Sequence, residues 1–140
     1  MLRRIDRPLI DRRHMLGHAV IDGDHMAIAE GWLRAVNCEP IAFPFFIARL
    51  KRLMKTHFDH EAALMLASGG SLCECHRKEH LGLLQLCDEA SVLNAGNWRQ
   101  TQSLLRKTFP KLMRNHIAEM DQIAVLFLNE RQAIRKIDHD

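Results

Sequence analysis

The sequence predicts an all-α protein, an up-down-up-down four-helix bundle preceded by an N-terminal arm. Three observations lead there: four stretches with apolar residues every three or four positions, short breakers rich in Gly, Pro and Asn between them, and no sustained period-two alternation of β-branched residues. With 140 residues, the chain has the length of one domain able to bury a core without disulfides. Residues 1–16, basic and broken by Pro8, read as an arm that is either docked on the bundle or partly mobile; residues 17–135 read as the helical domain and 136–140 as a frayed tail.

The first helix spans residues 18–36 and places Ile21, His25, Ile28, Trp32 and Val36 on one face. Asn37-Cys38-Glu39-Pro40 ends it, because proline and its predecessor resist helix continuation. The second follows Pro44, which suits a first turn, and repeats Phe46, Ile47, Leu50, Leu53, Met54, His57, Glu61, Leu64 and Met65 up to Ser68-Gly69-Gly70-Ser71. Ser71 can cap the third, with Glu74 in the position of a capping box; this helix presents His76, His80, Leu83, Leu84 and Cys87 and stops near Asn94-Ala95-Gly96-Asn97. The fourth runs from Trp98 to about Arg135, with Leu105, Phe109, Leu112, Met113, His116, Ile117, Met120, Ala124, Phe127 and Leu128 in register; Pro110 should kink or restart it.

Composition removes several classes of function. The longest apolar run, residues 123–128, is too short for a bilayer, and no apolar stretch follows the charged N-terminus as a secretory signal would require, so a cytoplasmic location is expected, without membrane attachment. The net charge is +3 with basic and acidic residues interleaved, which provides no stripe to track nucleic acid. Cys38, Cys73, Cys75 and Cys87 are too few for a disulfide scaffold and are expected as free thiols. The unusual feature is nine histidines and no tyrosine.

Five of those histidines fall on the apolar faces, together with two carboxylates: His25, His57 with Glu61, His76 with His80, and His116 with Asp121. The i, i+4 pairs each share a helical face, whereas His116 and Asp121, at i, i+5, need the carboxylate to reach sideways. Counted from the first connection, His25 and His57 both lie ~18–20 Å along their helices at ~1.5 Å per residue. Glu61 and His57 lie 8 and 12 residues before Gly69, and His76 and His80 lie 6 and 10 after Gly70. His116 matches His76 when both are counted from the third connection. All seven therefore converge at one depth. A metal-free core would have to satisfy each of them at a cost of ~1–3 kcal/mol per unpaired group, which points to bound metal.

These residues also sit in motifs. Ile21-Asp22-Gly23-Asp24-His25, His57-Phe58-Asp59-His60-Glu61, His76-Arg77-Lys78-Glu79-His80 and Asn115-His116-Ile117-Ala118-Glu119-Met120-Asp121 resemble the four helix motifs of the hemerythrin family, over residues 15–130. The resemblance implies two iron ions: His76, His80 and His116 on one, His25 and His57 on the other, with Glu61 and Asp121 bridging beside an oxo or hydroxo group and one position open for dioxygen. Mixed imidazole and carboxylate donors suit iron better than a closed structural zinc site. Histidine in excess of carboxylate favours the ferrous state and hence reversible dioxygen binding, for carriage, storage or scavenging. The alternatives are an oxygen, nitric oxide or redox sensor acting through a partner protein, and a di-iron peroxidase or oxidase, for which no extra acid, base or tyrosine speaks.

Around the site, Leu112 stands where the family commonly carries tryptophan, which implies a smaller pocket wall and room for sensing in place of carriage. Phe58, Met113 and Ile117 are expected in the core. Asp22 is open to two roles, an acceptor for an imidazole N–H or an N-terminal helix charge. His14 and His18 extend the first helix's stripe, as a second polar layer or as exposed, arm-packing residues, and His60 reads as peripheral. Cys38 and Cys87 fall in the same half of the bundle, as ordinary thiols or a thiol switch.

Overall fold

The computed structural model describes residues 3–139, and these are helical throughout their regular structure, with no strand among them. Helix α1 (Ala19–Asn37) packs on α2 (Phe43–Ala67), α2 packs on α3 (Glu74–Asn94), and α3 packs on a fourth helix. Gly31 brings α1 close to α2, since a Cβ there would lie 2.7 Å from Leu53 Cδ1. Helix α2 ends in a left-handed glycine, Gly69 (φ +83°), which lets the Gly70 N–H turn back to the Met65 carbonyl at 2.8 Å and satisfies an otherwise open helix end. No helix among the described residues is long and apolar enough to cross a membrane.

The fourth helix is one continuous rod with two wide turns: α4 (Trp98–Ser103), a π turn (Leu104–Thr108), α5 (Phe109–His116), a second π turn (Ile117–Asp121) and α6 (Gln122–His139). The α-helix restarts at Phe109 after the first π turn, with Pro110 in the first turn of α5, as a proline there is expected to do. The Phe109 N–H bonds to the Leu104 carbonyl, five residues back, and the next carbonyl in that ladder, Leu105, would need an N–H that Pro110 lacks. The buried Trp32 indole N–H donates to that carbonyl at 2.7 Å, so α1 supplies the missing donor. Helix α6 includes residues 136–139 of the tail expected to fray; residue 140 and the side chains of residues 138–139 lie outside the described part.

Two caps also differ from expectation. Cys73, not Ser71, caps α3, with its sulfur accepting the His76 N–H at 3.3 Å. His18 caps α1, its Nδ1 accepting the Ile21 N–H at 3.4 Å. The segment before α1 lies against the helices: Leu9 and Ile10 are buried, Asn37 exchanges two hydrogen bonds with the Ile5 backbone, and the Arg114 guanidinium donates to the Leu9 carbonyl at 2.7 Å. His14 belongs to a turn at Arg12–His14, where its Nδ1 accepts from the Asp11 N–H at 2.9 Å.

Candidate metal centre

Each helix delivers its donors inward because the apolar stripe that builds the core also carries them. His25 comes from α1, His57 and Glu61 from α2, His76 and His80 from α3, His116 from the end of α5 and Asp121 from the second π turn. All seven are buried, none more than 6% exposed. The π turn explains how the i, i+5 pair meets. In a regular α-helix Asp121 would lie about 140° round from His116; the wide turn absorbs one extra residue, and Asp121 Oδ1 comes to 3.0 Å from His116 Nε2 with no sideways reach.

The donors form two groups that share a carboxylate. His76, His80, His116 and Asp121 offer ligand atoms within 4.8 Å of one another, and so do His25, His57 and Asp121. Asp121 places Oδ2 2.7 Å from His25 Nε2 and 3.3 Å from His57 Nε2, and Oδ1 3.0 Å from both His76 Nε2 and His116 Nε2. Glu61 spans the same gap from the other side, with Oε2 3.2 Å from His57 Nε2 and Oε1 2.6 Å from His76 Nε2. Yet neither Glu61 oxygen makes a hydrogen bond within the protein, and neither does His80 Nε2 or His116 Nε2. Buried lone pairs this close, but not aligned on each other, are directed at common points between them. That is the arrangement a pair of cations would satisfy, and a set of imidazole nitrogens and carboxylate oxygens fits iron.

The electrostatics separate the donors. Burial pushes His57 down, but Asp121, Asp24 and Glu61 outweigh it and hold its pKa at about 11. His76, also opposed by burial, is held at about 9 by Asp121 and Glu61. Burial, then the neighbouring His116 and His76, outweigh the pull of Asp121 on His80 and push it down to about 3, so it stands neutral and ready to ligate. Asp121 lies well below the usual carboxylate range, because the four histidine rings gathered around it outweigh its burial.

Two acceptors that sequence reasoning missed orient the ring nitrogens facing away from the centre. Asp24 accepts from His57 Nδ1 at 3.1 Å, and Glu79 accepts from His116 Nδ1 at 3.0 Å. Each stands next to a histidine in its own motif, a signal that was present but ambiguous. Asp22, the residue expected in such a role, instead receives the Leu16, Gly17 and His18 N–H groups and ties down the entry to α1. His60 is half exposed and sits on the outer side of Asp24, 3.0 Å from it.

Phe58 stacks on His80 with ring centroids 3.8 Å apart and planes 11° from parallel, and Met113 and Ile117 are buried in the same core cluster. Leu112 is not a pocket wall. It is 44% exposed, because one residue along the helix turns it outward and puts Met113 inside. Cys87 is buried with its sulfur 3.8 Å from Met54 Sδ, Cys38 donates to the Ala35 carbonyl, and all four cysteines are free thiols.

Comparison with curated proteins and with solved structures returned no match. The family model described as the Hemerythrin HHE cation binding domain matches residues 16–127, a span that includes all four helices' donors and both groups of ligand atoms. A cation-binding, all-helical domain with this donor set agrees with that match, and the chain belongs to the hemerythrin family.

Proposed function

We propose that the protein holds two iron ions and binds dioxygen reversibly, within an up-down-up-down bundle on which residues 3–16 of the N-terminal arm dock and which acts in the cytoplasm; residues 1 and 2 lie outside the described part. The observation that carries this reading is the two-sided donor set: five buried imidazoles in two groups, joined by two carboxylates that each face both groups. His76, His80 and His116 would hold one ion and His25 with His57 the other, with Glu61 and Asp121 shared. A ferrous pair held by these residues would supply the redox chemistry for reversible dioxygen binding.

The protein's own contribution is orientation. Asp24 and Glu79 hold the Nδ1–H of His57 and His116, which fixes the tautomer that presents Nε2 inward. Met113 and Ile117 pack in the core cluster with Phe58, and Phe58 holds the His80 ring in one plane. Among the described residues, no buried acid or base other than the seven donors stands at the centre, which favours binding over turnover. With Leu112 turned outward, the argument for sensing from a reduced pocket wall lapses.

Anaerobic loading with ferrous iron followed by air tests the proposal. It expects about two irons per chain and an oxygenated spectrum that reverts on deoxygenation. One metal or none per chain, full iron content in His76→Ala and His116→Ala, or immediate irreversible oxidation would refute it, the last in favour of redox chemistry.

A further inference from the structure

A polar-lined cavity lies at the opposite end of the bundle. His25 is 12 residues up α1 from Asn37, about 18 Å along the helix. Around Asn37, a cavity of about 200 Å³ is enclosed by the end of α1, the connection to α2, the start of the fourth helix and Arg4. Its inner wall is polar and fixed. The Arg106 guanidinium donates from Nε to Gln102 Oε1 at 2.6 Å, from Nη2 to the Val36 carbonyl at 3.0 Å, and from Nη1 to the Arg3 carbonyl. Three of its five N–H groups are used and two remain.

Gln102 is 1% exposed and lines the same cavity. Because Arg106 Nε can only donate, the amide atom facing it is the oxygen, and the Gln102 Nε2 group on the other side is a donor with no partner in the protein. A buried, unmatched N–H beside a guanidinium with spare donors calls for an acceptor. The charged groups lining the space are Arg4, Arg106 and Glu39, a net excess of one positive charge, and Arg4 also bridges the exposed Asp6 at 3.4 Å. A wider groove of about 640 Å³ shares Arg4, Asn37 and Glu39 and opens the cavity to solvent. The inner space has room for several waters and so for an inorganic phosphate or a short carboxylate.

We propose that this cavity binds a small oxyanion, a carboxylate or a phosphate, received by the Gln102 amide and Arg106, with Arg4 closing over it from the N-terminal segment. Binding here is independent of the metal centre. The metal-loaded full chain is titrated with inorganic phosphate and, separately, with acetate at constant ionic strength set by potassium chloride. Binding is read by calorimetry and by the fluorescence of Trp98, which lines the cavity. The expected result is saturable binding of one or both anions above the chloride control, the stronger one naming the source. Gln102→Glu, which keeps the acceptor for Arg106 and replaces the free donor with a carboxylate, should weaken it at least tenfold, and Arg4→Gln several-fold, both with unchanged metal content. No saturable response above chloride, meaning that water alone fills the cavity, overturns the proposal. So does a folded Gln102→Glu that binds within twofold of the parent. If Gln102→Glu fails to fold, Arg4→Gln decides, and a change of less than twofold there overturns it.

Discussion

Asp24 should matter to metal binding although it touches none of the points at which the ligand atoms converge. Its carboxylate accepts the His57 Nδ1–H at 3.1 Å, and its side chain is 16% exposed, against 38% for Glu79, which does the same for His116 at 3.0 Å. Loss of such an outer partner typically costs 10- to 100-fold in metal affinity, about 1.4–2.7 kcal/mol. Water can replace the Glu79 carboxylate more readily than the Asp24 one, so Asp24→Ala belongs at the upper end of that range and Glu79→Ala at the lower. Asp24→Asn keeps an oxygen for the Nδ1–H but removes the charge and should fall between parent and alanine. His60→Ala, half exposed on the outer side of Asp24, should change affinity less than twofold. Anaerobic ferrous titration against a competing chelator measures all four. Unchanged affinity in Asp24→Ala, or a larger loss in Glu79→Ala, would refute the argument that burial of the outer carboxylate sets its weight.

Three further outcomes follow from the same geometry. Trp32→Phe strands the Leu105 carbonyl and should cost ~1–3 kcal/mol in denaturant unfolding, with a smaller cost in a Pro110→Ala background, where a backbone N–H is restored; equal costs in both backgrounds would contradict the π-turn account. In the metal-free protein, His57 and His76 are raised from 6.5, so their stabilisation is complete below pH 6.5 and is lost as pH rises through about 9 to 11, whereas that of Asp121 is present above 3.8 and is lost as pH falls below it. Stability of the metal-free form should therefore peak between those limits, as thermal melts across pH will show. Because ligation needs neutral imidazoles, metal loading at pH 7 should release protons from His57 and His76 and weaken as pH falls, measurable from the buffer dependence of the calorimetric heat; no proton release would contradict the raised values.

The sequence alone determined the number of helices, nearly all their limits and the depth at which seven donors lie, because apolar periodicity and ligand spacing are both local properties of a helix. His57 with Glu61 and His76 with His80 share a face wherever those helices pack. Tertiary structure decided what depends on departures from the regular period or on choices between neighbours. The wide turn at Ile117–Asp121 shows no residue that demands it, yet it brings Asp121 into line with His116. Pro110 announced the restart of the helix at Phe109, but only the packing of α1 shows that the Trp32 indole N–H takes the Leu105 carbonyl beside it. Asp22 and Asp24, two residues apart, were both open to the role beside an imidazole. The entry turn into α1 claimed Asp22, and α2 lying against α1 put His57 within reach of Asp24. Leu112 and Met113 divide in the same way, with one facing solvent and the other the core, because a step of one residue turns the side chain about 100° around the helix.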